Sequence, residues 1–200
     1  MSTATKLNLM SVQDYLTGEL ASPVKHEYLG GVVYAMAGAR NSHNLIATNV
    51  IGSLYARLRG QLCRPYNSDT KIRIRLRGHV RFYYPDASVI CRANPQDDSF
   101  QDEPVVLFEV LSRHTRRIDE GEKKDAYLTL PSLGVYVLIE QEMPAVVVFR
   151  RVGETFLREV YQGLDDVLPL SEIGIDLPLA EIYEAAAFMP ERGDEDEPAV

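Results

Sequence analysis

The sequence contains no tryptophan and only two cysteines, Cys63 and Cys91. Two cysteines are too few for a disulfide scaffold or a four-ligand zinc site. No apolar run approaches the ~18 residues that a membrane span requires. The densest runs, Val135–Ile139 and Ala145–Phe149, have the length of strands. The first ten residues lack a charged start followed by a long apolar stretch, so no secretory signal is read. The chain is therefore expected in the cytoplasm, a reducing compartment. Neither an internal repeat nor a Pro/Gly-rich linker divides it. Residues 11–190 are read as one domain, with a flexible N-terminus at 1–10 and an acidic, disordered tail at 191–200.

The 46% hydrophobic and 25% charged fractions are those of a globular chain, and 200 residues suffice for a real core. The net charge of −8 is unevenly spread. Residues 191–200 hold five acids and one arginine. The stretch Arg57–Arg81 instead carries eight Lys or Arg against the single acid Asp69, a stripe able to attract a polyanion.

The periodicity predicts a mixed α/β chain. Ser11 with Asp14 marks a helix start, and Val12, Tyr15, Leu16 and Leu20 make that helix amphipathic. Glu27 to Tyr34 reads as a hairpin turned by Gly30-Gly31. A longer helix is expected over 43–58, with Leu45, Ile46, Val50, Leu54 and Leu58 at helical spacing. Lys71 to Arg77 alternates without error, which places four cations (Lys71, Arg73, Arg75, Arg77) opposite Ile72, Ile74 and Leu76. Residues 81–91 read as one further strand, and 94–103 as a polar loop. Residues 104–111 read as a buried strand. A helix is expected over 119–130, a hairpin over 134–140 and 144–150, a strand over 155–161 and a closing helix over 177–188.

Glu109 is the anomaly. A carboxylate inside Val-Val-Leu-Phe-Glu-Val-Leu is costly to bury unless it is paired or binds a metal. Alternation that turns it outward, or a structural arginine pair, would also account for it. Asp86 follows Pro85 where a strand turns apolar, a place equally suited to a turn residue. On neighbouring strands the two acids could share a divalent cation, and oxygen ligands of this kind suit Mg²⁺. Lys123 and Lys124 follow on a helix with many acidic neighbours, so a solvated helix face accounts for them as well. Beside a metal, one of them would orient or help deprotonate a water and offset phosphate charge.

The ordered set of Glu27 in a hairpin, His43 at a helix start, Tyr84-Pro85-Asp86, Phe108-Glu109-Val110-Leu111-Ser112, Lys123 and Tyr127 resembles the Uma-type family. That family is grouped with restriction endonucleases in the PD-(D/E)xK nuclease superfamily. The resemblance spans roughly residues 12–161. It implies a restriction-endonuclease-like α/β (α+β) fold, a mixed central sheet flanked by helices with an added C-terminal hairpin and helix. It implies Mg²⁺, replaceable by Mn²⁺, held by Asp86, Glu109 and the carbonyl of Val110.

In the superfamily the lysine stands two residues after the glutamate, where this chain has Leu111. In this family it appears on the following helix, four residues before a tyrosine, which selects Lys123 over Lys124. Glu27 resembles an additional acid that orients the attacking water, and His43 matches a family histidine that a surface or capping role would also explain. Two departures stand out: Ser112-Arg113-His114-Thr115 replaces Ser-Pro-Ser-Thr, and Glu140 ends a strand that commonly ends in aspartate. The implied activity is Mg²⁺-dependent hydrolysis of DNA phosphodiester bonds, with Lys71, Arg73, Arg75 and Arg77 on the phosphates, by a homodimer with no membrane association. A silent nucleic-acid-binding module and a structural interaction protein are the alternatives.

Overall fold

The computed structural model describes residues 9–113 and 115–188. The acidic tail, residues 1–8 of the expected flexible start and His114 lie outside these described residues. Leu9 and Met10 are anchored: the Met10 N–H donates to the Gly31 carbonyl at 2.9 Å, and a Cβ on Gly31 would meet Leu9 at 2.7 Å. Helix α1 (Val12–Ala21) starts as expected, with Ser11 Oγ accepting from the Asp14 N–H at 3.1 Å. Gly30 and Gly31, at φ +61° and +106°, turn strand β1 (His26–Leu29) into β2 (Val32–Ala35).

Helix α2 (Asn41–Leu58) buries Ile46, Val50, Leu54 and Leu58 of the stripe read from the sequence, while Leu45 stays partly exposed. Strands β3 (Arg64–Asn67), β4 (Lys71–Leu76), β5 (His79–Tyr83) and β6 (Ala87–Ile90) follow. The single strand expected over 81–91 is two strands in two sheets. Pro85 donates no ladder hydrogen bond, and Tyr84-Pro85-Asp86 carries the chain from one sheet to the other. The loop at 94–103 contains a two-residue strand, β7 (Phe100–Gln101), parallel to β4. Strand β8 (Pro104–Val110) is buried throughout its centre.

The helix expected over 119–130 is two short ones, α3 (Arg116–Asp119) and α4 (Glu122–Tyr127). Gly121 breaks them apart, because the chain folds so tightly that a Cβ there would lie 2.7 Å from the Arg117 carbonyl oxygen. Strands β9 (Val135–Ile139), β10 (Ala145–Val152) and β11 (Thr155–Gln162) come next. Strands β12 (Val167–Leu170) and β13 (Ile175–Pro178) form a small hairpin. The closing helix shrinks to α5 (Leu179–Ile182), because Leu177 and Pro178 belong to β13.

The strands assemble as two large sheets, β2-β1-β5-β4-β7 and β11-β10-β9-β8-β6-β3. Pairing is antiparallel except for β4·β7 and β8·β9. One face of the six-stranded sheet packs on α2, α5 and the small hairpin. Its other face meets α4 and the five-stranded sheet through Leu107, Leu111, Tyr136, Leu138, Ile72 and Tyr83. Helix α1 closes the far side of the five-stranded sheet over Phe82 and Tyr28. This is an α+β fold of mixed sheets flanked by helices.

Cys63 and Cys91 continue the β3·β6 register beyond Arg64↔Ile90. Their Cα atoms lie 3.9 Å apart and they form a disulfide. That departs from the reducing-compartment expectation, and the cause is cross-strand register rather than cysteine number. The link closes a separation of 28 residues, which the chain-entropy relation values at about 3–4 kcal/mol. Reduction, or the Cys63→Ser/Cys91→Ser double variant, is expected to lower the urea midpoint accordingly. Equal midpoints with and without dithiothreitol would show that the thiols are unlinked in solution.

Candidate active site

Alternation along β8 decides where Glu109 goes. Val106, Phe108 and Val110 face the α2 core, so Leu107, Glu109 and Leu111 face the layer between the two sheets. Glu109 is only 4% exposed. Lys123, from α4 and 5% exposed, sets its Nζ 2.8 Å from Glu109 Oε1. The same ammonium lies 3.3 Å from Glu27 Oε1 on β1, 3.6 Å from Asp119 Oδ1 on α3, and 5.6 Å from the centre of the Tyr83 ring. Tyr127 donates to Glu109 Oε1 at 3.3 Å.

Asp86, at the crossing between the sheets, is fixed from two sides. Its Oδ2 accepts from the Val110 N–H at 2.7 Å and lies 3.2 Å from His43 Nε2, near the start of α2. His43 Nδ1 is buried without a hydrogen-bond partner among the described residues.

Four carboxylates thus gather around one ammonium and one imidazole. Burial raises the Glu109 carboxyl well above its ordinary range; Lys123 opposes this, while Asp119 and Asp86 add to it. Asp119 is raised for the same first reason. Burial works against the charged form of Lys123, but Glu109, Glu27 and Asp119 outweigh it and hold the lysine well above its usual value. His43 is likewise raised, its burial outweighed by the hydrogen bond and charge of Asp86. The carboxyls around Lys123 favour its charged form, which suits it to offset negative charge rather than to accept a proton.

Residues 12–180 match the model of a family called Uma2, described as "Putative restriction endonuclease". The chain belongs to the Uma2 family. Two uncharacterized proteins of Synechocystis sp. are similar to it. One is 32% identical over 183 residues, covering 90% of this chain and 94% of the relative. The other is 27% identical over 157 residues, covering 77% and 88%. A crystal structure from Anabaena variabilis, described as a putative nuclease belonging to DUF820, shares the fold with a TM-score of 0.67 at 18% identity. It covers 84% of this chain and 96% of that one.

In this Uma2 chain the structure brings together Glu27, Asp86, Glu109, Val110, Lys123 and His43 of the residues singled out in the sequence. Lys124 lies elsewhere, over the Phe149 ring at 5.2 Å. The basic strand behaves differently. Arg73 and Arg75 share β4's outer face with Phe82 and α1, whereas Ile72 and Ile74 lie opposite Tyr83 and Arg81, toward Lys123. The strand's cations thus face away from the carboxylate cluster.

Lys71 corrects the reading of four outward charges. It is 4% exposed and donates to the Tyr84 hydroxyl at 3.2 Å, because α1 and Tyr84 cover that end of the strand. Arg73 makes two 2.7 Å bonds to Asp102, and Arg75, 62% exposed, approaches the same carboxylate at 3.4 Å. Arg77 is exposed.

Sequence reasoning missed Asp119 as a member of the cluster. Its i,i+4 spacing to Lys123 was visible but suggested a surface pair. The altered loop after Glu109 keeps its ends joined. The Ser112 and Thr115 hydroxyls lie 2.9 Å apart, and each accepts from the other's backbone N–H at 3.3 and 3.1 Å.

No group of three or more His, Cys, Asp or Glu side chains among the described residues is arranged to hold a metal ion by itself. The donor set nevertheless fits a hard cation that keeps much of its water. Asp86 and Glu109 make their polar contacts through Oδ2 and Oε1 respectively. Both belong to a cluster of four carboxyl groups set against one ammonium and one imidazole.

Proposed function

We propose that the chain is a divalent-metal-dependent endonuclease that hydrolyses phosphodiester bonds in DNA. The observation that carries this reading is the Lys123 ammonium lying between Glu27, Glu109 and Asp119, with Asp86 locked against Val110 beside them. Four separate elements and a sheet crossing supply that constellation. Mg²⁺, or Mn²⁺ in its place, would be held by Asp86, Glu109 and the carbonyl of Val110, supplying a Lewis acid for the phosphate and an acidified water.

The chain's own groups do the rest. Lys123 offsets the charge that builds on the phosphate oxygens in the transition state. Glu27, more open than Glu109 or Asp119, holds the attacking water and receives its proton. His43 and the Val110 N–H fix the Asp86 carboxylate in position. Arg75 and Arg77 are left for phosphates of DNA that continues past the site. A homodimer, whose twofold axis relates two sites, suits the cutting of both strands of a locally opened duplex.

Plasmid cleavage in Mg²⁺ and in Mn²⁺ tests the reading. Asp86→Ala, Glu109→Ala and Lys123→Ala are expected to reduce nicking by on the order of 100-fold or more, while Lys124→Ala leaves it intact. Cleavage that survives Asp86→Ala would overturn the assignment. Salt-dependent binding without cleavage in either metal would identify a silent binding module instead.

A further inference from the structure

The cross-strand partner of Glu27 on β2 is Tyr34. Directly opposed residues of an antiparallel pair project from the same face, with Cβ atoms about 4.5–5.5 Å apart. Tyr34 therefore stands beside a carboxylate that itself touches Lys123. Helix α4 covers that face over β1 and β5 but stops short of β2, the edge strand. As a result Tyr34 is 54% exposed, and Val32 on the same face is exposed too, whereas Val33, facing the other way, packs against the α1 core. The Tyr34 hydroxyl makes no hydrogen bond and its ring no aromatic contact among the described residues. From β2 the chain runs through Ala37-Gly38-Ala39 to α2, where His43 meets Asp86.

An exposed, unengaged ring one residue spacing from the carboxylates offers a π-face to a planar ligand. We propose that Tyr34 is a stacking platform for an unpaired nucleobase adjoining the phosphate at the Asp86–Glu109–Lys123 site. The inference rests on the nuclease reading and narrows its substrate to single-stranded or locally opened nucleic acid, because a base within a duplex offers no free face. The ring carries the contact and the hydroxyl does not.

The absence of tryptophan makes a direct readout available. Tyr34→Trp places the sole tryptophan of the protein on the platform. Titration uses a dye-labelled single-stranded oligonucleotide, an abasic sugar-phosphate oligomer of the same length and a blunt duplex. Each is measured in EDTA and with Ca²⁺, by anisotropy for binding and by tryptophan emission for stacking. The single strand is expected to quench emission in step with its binding, and the abasic oligomer and the duplex to bind with little quenching. In the wild-type background, Tyr34→Ala is expected to weaken single-strand binding roughly 5- to 150-fold, the range for loss of one stacked base. Tyr34→Phe should keep it within about twofold, and neither variant should shift Tm by more than a few degrees, since the ring is half exposed on an edge strand. Binding without quenching, or equal quenching by the abasic oligomer, overturns the platform and leaves the nuclease reading standing. Equal quenching by the duplex overturns the unpaired-base preference. Absence of binding by any oligomer overturns both readings together.

Discussion

Replacing Lys123 by methionine is expected to destabilise the chain by about 3–5 kcal/mol at pH 8, the range for removing one partner of a buried ion pair. Cleavage should disappear with it, and the stability loss should shrink as the pH falls to 5. Methionine fills most of the lysine's volume, so packing changes little and the missing charge dominates. Glu109 and Asp119 have folded pKa values above their unfolded ones. The stability they contribute is fully present below the unfolded carboxylate value, about 4, and is lost as pH rises through the folded values.

Lys123 is the charge that opposes those rises. Without it the two carboxyls climb further, and more stability is lost by pH 8. The lysine's own pKa is raised as well, so its contribution persists below its unfolded value of about 10.4 and fades only at higher pH, outside this window. The gap between wild type and variant must therefore open between pH 5 and pH 8. Urea denaturation in EDTA at pH 5, 6.5 and 8 measures it, and a gap that stays constant or widens toward pH 5 would remove the argument. Lys124→Met, at a half-open position beside Phe149, should stay within about 0.5 kcal/mol at every pH.

Legibility in the sequence followed the range of the forces involved. The α1 cap, the Gly30-Gly31 hairpin, the α2 stripe and the buried β8 are local patterns, and each stands where the residues place it. Glu109 was visible as a charge in an apolar run, but its direction was not, because both faces of β8 are buried and alternation alone cannot say which holds water. The strand at 81–91 split because Pro85 sits where two sheets meet, and a period of two looks the same on either side of a crossing. The break at Gly121 depends on a carbonyl four residues away, and the disulfide on a register set by β3, a strand that Pro65 conceals. Lys71 failed for a similar reason: alternation gave its face correctly, but α1 and Tyr84 cover that face from elsewhere in the sequence. Within the cluster, ordered motifs brought together residues separated by up to 96 positions (Glu27 to Lys123), which no local pattern could do. Asp119 escaped because its partner lay four residues on, where a surface ion pair is the ordinary outcome.

The second large effect concerns the cation. Millimolar Mg²⁺ or Mn²⁺ is expected to raise Tm of the wild-type chain, and Asp86→Asn or Glu109→Gln to abolish the rise. A ligand that binds only the folded state at 100 times its Kd adds about 2.7 kcal/mol. For a chain of this size that corresponds to roughly 5–10 °C. The driving force is the gathering of four carboxyl groups around Lys123 and His43, with Asp86 and Glu109 as the proposed ligands. Protons and the metal compete for the same carboxyls, so the rise should be larger at pH 8 than at pH 6. Differential scanning fluorimetry across both pH values decides it without reference to any substrate. A rise that survives in both variants would place the cation elsewhere on the acidic surface. No rise in either metal would leave the four carboxylates to Lys123 and His43 alone, an arrangement that holds the fold together but supplies no Lewis acid for phosphodiester hydrolysis.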